Sequence, residues 1–403
     1  MNAVGIDVSK GKSMIAVMQP FGVVVASPYE IGHTERELKE LAGFLKSLPG
    51  ETKVLMEYTG RYYEPVARYL HDAGLFVSVV NAMLPHEYGT NTLRRAKTDK
   101  KDAVKLACMA LDRWLDLKEY LPEEDTRRTL KLLSRQYEQY SKMQTMIKNN
   151  LIALLDQTFP DANRLFTSPA RKEDGHEKWV DFALKFWHCE CVSGISRSAF
   201  KDKYERWCRK NGYYYAEDKA ETIYTAANGH TGLLPMCESV KLLITQAVTQ
   251  LQTIEETLAS LRKEMQKLAS ALPEYETVMS LYGVGEVLGP RLMAEIGDVS
   301  RFKSRKSLVA FAGIDAPPYQ SGTVEVRSRS ISKRGSAYLR KTLFLVMSII
   351  LQNQPQDDAV FEFMDKKRAE GKPYKVYMIA AANKFLRIYY ARAKLCLSPA
   401  DSN

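Results

Sequence analysis

Ten apolar residues, Val240, Ile244, Ala247, Leu251, Ile254, Leu258, Leu261, Met265, Leu268 and Leu272, follow one another in alternating steps of four and three. That spacing holds one apolar stripe on one side of a helix for more than four heptads. At 1.5 Å per residue such a helix is roughly 50 Å long, too long and too narrowly apolar to be the core of a compact domain. A second stripe precedes it: Leu130, Leu133, Tyr137, Tyr140, Gln144, Ile147, Leu151 and Leu154. Gln144 is its one non-aromatic polar member and could fix register. The two stripes can close on each other as an antiparallel hairpin or face a second copy. The narrow seam favours an extended coiled-coil arm that serves dimerisation.

A chain of 403 residues built around two such rods divides naturally. The expected parts are a domain at 1–125, a first coiled-coil helix at 126–159, a helical insert at 160–236, a second coiled-coil helix at 237–272 and a C-terminal domain at 273–403. The first part reads as α/β. Ala3–Val8, Ser13–Met18 and Val23–Ala26 form a β-rich meander. Thr34 and Glu37 make a capping-box pattern before a helix that Pro49-Gly50 ends. Strands at Lys53–Met56 and Leu75–Val80 then alternate with helices at Tyr62–Ala73 and Asp102–Trp114. That order describes a mixed sheet with helices packed on it. The C-terminal part reads as mostly helical.

Charge is concentrated. The net formal charge is +10. The window Arg301–Lys341 holds ten Lys or Arg against two acids, Asp315 and Glu325. A second knot, RRAKTDKK, spans Arg94–Lys101. Two local knots of one sign point to a polyanionic partner. The longest apolar run, Phe344–Leu351, is interrupted by Ser348 and is far short of the roughly 20 residues of a membrane span. The N-terminus lacks the pattern of a secretory leader, and six scattered cysteines do not form a disulfide framework. A cytoplasmic, membrane-free location is expected. In the insert, His188, Cys189, Cys191 and Cys208 lack the paired spacing of a zinc site and are assigned to packing.

Four carboxylates stand out. Asp7 ends the first strand, Glu57 ends a later one, and Asp99 and Asp102 share a face at the start of a helix. Acids from three elements at strand ends can hold two Mg²⁺ ions about 4 Å apart, the arrangement that serves phosphoryl displacement. Arg94, Arg95 and Lys97 lie beside them and would attract a phosphodiester. Gly283 and Gly285, between two apolar helices, resemble the turn of a helix-hairpin-helix, whose backbone N–H groups can hold a phosphate. Farther on, Ser321 sits on a Gly-containing turn inside the basic window, followed by Ser332-Lys333-Arg334-Gly335. A serine placed among cations is a candidate nucleophile toward a phosphodiester. Arg327, Arg329, Lys333, Arg334 and Arg340 are expected to contact phosphates.

Taken together, GIDVSK, MEYTGRYYEP and AKTDKKDA at the front, and YGVGEVLGPRLMAEIGDVSRF, FAGIDAPPYQSGT and ISKRGSAYLRK at the back, resemble the DEDD transposases of the insertion sequence 110 family and the related Piv-like DNA invertases. The resemblance implies an RNase H/RuvC-like mixed-sheet domain whose acids map onto Asp7, Glu57, Asp99 and Asp102. It implies a catalytic serine that maps best onto Ser321, with Ser332 as the alternative and Ser328, Ser330 and Ser336 behind it. It also implies DNA cleavage and rejoining through a phosphoserine–DNA intermediate. Donor and target DNA would be chosen by a structured bridge RNA, and the Mg²⁺ cluster and the serine brought together across subunits. A dimer, and a tetramer on DNA, would follow. The 160–236 insert departs from shorter members. Two other readings use fewer of these features. A RuvC-like junction resolvase needs only the four acids. A non-catalytic RNA-binding or chromosome-organising protein needs only the basic face and the coiled coil.

Overall fold

The computed structural model describes residues 1–58, 60–88, 98–171, 175–230, 232–316, 320–321, 324–325 and 330–397, with backbone alone at 320, 321, 324 and 325. The chain forms two compact units, Met1–Glu123 and Glu124–Asn403.

In chain order the first unit contains β1 (Asn2–Ser9), β2 (Lys12–Gln19), β3 (Val23–Gly32), α1 (Glu35–Ser47), β4 (Thr52–Glu57), α2 (Tyr63–Asp72), β5 (Phe76–Val80), α3 (Met83–Tyr88) and α4 (Asp99–Asp112). The sheet order is β3-β2-β1-β4-β5. The meander β1–β2–β3 is antiparallel, and β4 and β5 join parallel to β1. The helices thus cover two faces. Val4, Ile6, Val8, Val54 and Met56 pack against Leu38, Leu41 and Leu45 of α1 and Val66 and Leu70 of α2. The alternate residues Ala3 and Leu55 pack against Leu106, Met109 and Ala110 of α4 and against Trp114. This is the period-two logic of a strand buried on both sides. Thr34 caps α1 by accepting a hydrogen bond from the Glu37 N–H, and the Glu37 carboxylate accepts from the Gly32 N–H at 2.9 Å. Half of the expected capping box is formed: Thr34 caps the helix, but Glu37 accepts from the Thr34 hydroxyl and the Gly32 N–H and not from the Thr34 N–H. The expected helix Asp102–Trp114 starts earlier, because Thr98 accepts from the Lys101 N–H as its N-cap. Both Asp99 and Asp102 consequently lie in its first turn.

In the second unit, α5 (Asp125–Thr158) and α10 (Glu238–Ser270) are the two rods. Between them lie α6 (Lys178–Lys185), α7 (Glu190–Ser193), α8 (Arg197–Lys210) and α9 (Glu217–Gly229). After them come α11 (Tyr275–Met279), α12 (Leu288–Ile296), α13 (Arg305–Ala312), the short strands β6 (Gln320–Ser321) and β7 (Val324–Glu325), α14 (Ala337–Asn353), α15 (Ala359–Ala369) and α16 (Tyr374–Leu397). The rods run antiparallel. Leu130, near the start of α5, shares a cluster with Met265 and Ala269, near the end of α10. Leu151 and Leu155 meet Val240, Ile244 and Leu251. Between these ends the Gln144 amide donates to Glu255 at 3.4 Å.

This arrangement overturns the main reason for expecting a dimer. The α10 stripe is covered within the chain, with Leu258 4% exposed, so the seam has no need of a second copy. The two ends of the rod pair carry different cores. One is the aromatic insert, where Phe159, Phe182, Phe186, Phe200, Tyr204 and Trp207 pack on α5 and α10. The other is the C-terminal helical body. No helix among the described residues is long and apolar enough to cross a membrane.

Candidate active site and nucleic-acid interface

The placement of the acids in the first unit follows from one glycine. A Cβ on Gly5 would lie 2.0 Å from the Ala103 carbonyl oxygen and 2.4 Å from the Ala107 nitrogen, so α4 rests directly on the β1 backbone. Ala3, two residues back, packs on Leu106, Met109 and Ala110, farther along α4. The helix therefore runs antiparallel to β1. Asp7, two residues on from Gly5 and on the same face, points to the end of the helix where Asp99 and Asp102 begin. The same ladder runs along β4. The Lys53 Nζ donates to the Trp114 carbonyl at 2.9 Å, Leu55 packs beside Leu106, and Glu57 comes next on that face. Ile6 is opposite Met56 in the parallel register, so Asp7 and Glu57 lie side by side; Glu57 is the last residue of β4, but β1 runs two residues past Asp7 to Ser9, so Asp7 does not end its strand as expected.

Sheet and helix thus bring Asp7, Glu57, Asp99 and Asp102 to one end of one face. Asp7, Glu57 and Asp102 are half-buried and Asp99 is exposed. Lys12, at the β1–β2 turn, is held charged mainly by its hydrogen bond to Glu30, with Asp99 a lesser contributor, so the start of α4 also lies near that turn. Among the described residues no three His, Cys, Asp or Glu side chains close into a metal-holding group. The donor chemistry, hard oxygens on fixed backbone, fits Mg²⁺.

In the second unit the basic window is built on a closed loop. Gly313 is left-handed, with φ +65°, and a Cβ on Gly335 would fall 2.2 Å from the Phe311 carbonyl oxygen. The FAG and KRG segments therefore cross backbone to backbone. The Lys333 N–H donates to the Gly313 carbonyl at 3.0 Å and the Ser336 N–H to the Phe311 carbonyl at 2.8 Å. The Ser332 hydroxyl donates to Asp315 Oδ1 at 2.5 Å, and its N–H donates to the Asp315 carbonyl at 2.8 Å. Ser336 caps α14, accepting from the Leu339 N–H and donating to the buried Glu295 at 2.9 Å. Both hydroxyls thus have structural duties. Ser321 lies in β6, opposite Val324, in the segment that this closed base holds. Its hydroxyl lies outside the described residues, as do Arg94, Arg95, Lys97, Arg327, Ser328 and Arg329.

The remaining expected contacts divide. Lys333 and Arg334 are exposed. Arg340 is not a free phosphate ligand: its Nη1 donates to the Ala312 carbonyl at 2.9 Å and to the Gly335 carbonyl at 3.4 Å, tying the loop base to α14. A Cβ on Gly283 would meet Ile350 Cγ1 at 2.9 Å and the Val346 carbonyl at 3.1 Å. That glycine answers to close packing on α14. Gly285 is open to solvent. In the insert, His188 Nε2 meets the Leu234 carbonyl at 3.0 Å and His188 Nδ1 accepts from the Glu190 N–H at 3.2 Å. Both ring nitrogens are occupied, as a packing role requires.

Sequence reasoning missed a cleft of about 1300 Å³ beside this loop. Its cations are Lys333, Arg340, Lys341, Lys375, Lys384 and Arg387, and no Asp or Glu is among the residues that line it. The signal lay in α16, whose residues Val376, Ile379, Asn383, Lys384 and Arg387 recur at helical spacing on one face. Below the site, ion pairs link the rods to the C-terminal body: Arg127 with Glu274, Arg135 with Glu295, and Glu138 with both Arg291 and Lys341.

The first unit is thus a mixed sheet with acids toward one end of one face, and a helical body with a basic loop follows it in the chain. Two family models match: a DEDD transposase model for the IS110 group over residues 4–160, and the transposase model of the IS116/IS110/IS902 family over residues 275–362. The chain belongs to the IS110 family of transposases, enzymes that cut and rejoin DNA. It is 21% identical to an uncharacterised protein of insertion element IS110 from Streptomyces coelicolor, over 96% of this chain and 92% of that protein. It is 23% identical to the pilin gene-inverting protein of Moraxella bovis, over 84% and 79% of the two chains. A transposase for insertion sequence element IS1111A from Coxiella burnetii is 27% identical over 41% of this chain and 44% of that protein.

Proposed function

We propose that this transposase cuts and rejoins donor and target DNA through a serine–DNA intermediate, with Ser321 as nucleophile and Asp7, Glu57, Asp99 and Asp102 as the Mg²⁺-binding acids. The observation that carries the reading is the seating of α4 on Gly5, which brings the four acids to one end of one sheet face. The order β3-β2-β1-β4-β5, with its antiparallel meander and two parallel additions, supports a RuvC-like domain. Bound Mg²⁺ would neutralise charge on the reacting phosphodiester and activate an oxygen near it. The protein's own contribution is to hold the acids on rigid backbone and to keep cations beside the serine. A phosphoserine ester conserves the energy of the broken phosphodiester, whereas hydrolysis discards it. The chain has no G-x-x-x-x-G-K-[ST] motif that would couple ATP to resealing.

A structured bridge RNA supplying the sequence choice fits a chain whose basic residues form patches for backbones. Assembly as a dimer, and as a tetramer on DNA, would place acids from one subunit against a serine from another.

The test is to incubate protein, co-purified RNA and labelled DNA with Mg²⁺, denature, and map any adduct by mass spectrometry. An adduct on Ser321, lost in Ser321→Ala, is expected. An adduct on Ser332 would move the site. Cutting at the unmodified rate by Ser321→Ala without any adduct would replace this reading with a hydrolytic nuclease.

A further inference from the structure

The cleft between α14, α15 and α16 differs from a plain basic surface. Its apolar lining comes from Phe344 of α14, Phe363 of α15, and Ile379 and the half-exposed Val376 of α16. The rest of its lining is rich in cations. Lys341 is already paired with Glu138, and Arg340 is tied to two carbonyls. Lys375, Lys384 and Arg387 have no carboxylate within ion-pair distance among the described residues. The Lys384 Nζ stands 5.7 Å from the centre of the Phe363 ring. Toward the C-terminal end of α16, Lys384 and Arg387 also line a second depression of about 480 Å³, together with Arg305 and Arg392. The larger cleft alone exceeds the roughly 300–1,000 Å³ of small-molecule pockets, and the basic track continues beyond it.

A duplex shows its phosphates outward and keeps its bases stacked inside, so an apolar lining gives it nothing. A single strand offers both: phosphates for the cations, and base faces that stack on aromatic rings and cover apolar carbons. Uncompensated cations interleaved with an apolar lining therefore match an unpaired strand best. We propose that this cleft binds a single-stranded nucleic-acid segment, with bases toward Phe344 and Phe363 and phosphates along Lys375, Lys384 and Arg387. The inference rests on the reading that the chain handles nucleic acid. It does not depend on which serine reacts.

The probe is a labelled 20-nucleotide oligouridylate, compared with a 20-base-pair DNA duplex of unrelated sequence. Binding is measured by anisotropy on full-length Ser321→Ala protein in EDTA, so that no chemistry intervenes. Removing three cations with Lys375→Ala, Lys384→Ala and Arg387→Ala should weaken oligouridylate binding at least tenfold. It should also lower the salt slope by about 2 units, at roughly 0.7 per phosphate contact on a single strand. Phe363→Leu keeps apolar bulk and removes the ring, and it should weaken binding several-fold with the slope unchanged. Arg36→Ala, Lys39→Ala and Lys46→Ala remove as much charge from α1 and should change little. A triple α16 variant whose duplex affinity falls as far as its oligouridylate affinity would overturn the single-strand assignment. Unchanged binding of both probes would remove the cleft as a nucleic-acid site. In either case, an adduct on Ser321 in the unmodified protein would leave the recombinase reading standing.

Discussion

Gly5→Ala puts the packing of the first unit and its acid set to one test. The new Cβ would lie 2.0 Å from the Ala103 carbonyl oxygen, against the 3.4 Å at which ordinary contact begins. Both partners are backbone, so no side chain can rotate aside, and α4 must withdraw by the difference, about 1.4 Å. Overpacking of a tight core costs about 1–3 kcal/mol, occasionally more. Here the lift also opens the contacts of Leu106 and Met109 with Ala3 and Leu55, so a loss of about 3 kcal/mol is expected. Displacing reacting groups by about 1 Å costs about 10²-fold in rate, so element excision in cells should fall at least that far per folded molecule. The stability assay is urea unfolding, with hydrogen exchange read on α4 peptides. Gly43→Ala is the control: it lies within α1 with nothing within 4 Å of its added Cβ. Such a helix substitution should stabilise by about 0.5–1 kcal/mol. A Gly5→Ala protein with unchanged stability and excision would refute the seating of α4 on β1, and with it the gathering of the acids.

Asp7→Asn, Glu57→Gln, Asp99→Asn and Asp102→Asn should each cut Mg²⁺-dependent DNA cleavage by orders of magnitude while leaving the circular dichroism spectrum unchanged, because acids that share a metal act as a unit. Full cleavage in EDTA would contradict this. Glu255 is 3% exposed and burial pushes its carboxyl up to about 7. A raised carboxyl favours the fold while protonated, so its contribution should fall as pH rises from about 4.5 through 7, by at most about 3 kcal/mol. Glu255→Gln should flatten that slope in pH-dependent urea melts and keep a partner for Gln144. Glu274→Ala removes the buried partner of Arg127 and leaves it only the exposed Glu124 at 3.5 Å among its ion pairs, so it should cost up to about 3 kcal/mol in the same assay.

The elements of the first unit were readable because each has a local cause: an alternating strand, a capping threonine, a Pro-Gly stop. Asp99 entered its helix beyond the expected start because Thr98, a single capping residue, outweighed the apolar pattern that begins at Ala103. What strands and caps do not encode is contact between distant backbones. The roles of Gly5, Gly313 and Gly335 appear only when Ala103, Arg340 and Phe311 are in place. The heptad stripes announced their helices but not their partner, since a seam looks the same whether the second rod is in the same chain or another. The basic character of the cleft was hidden for a related reason. Lys375, Lys384 and Arg387 lie on an apolar tail helix, more than thirty residues beyond the obvious charge window, and meet Lys333 only through folding.

The crossing of Phe311–Asp315 with Ser332–Ser336 works as a knot tied at the neck of a bag. Ser332 and Lys333 hold Asp315 and Gly313 where the two stretches cross, so the ends of α13 and α14 are fastened to each other at that point and do not depend on the stretch between to hold them together. A residue inserted between Asp315 and Ser332 should therefore leave those two helices in register, and any loss of activity it causes would belong to the stretch itself.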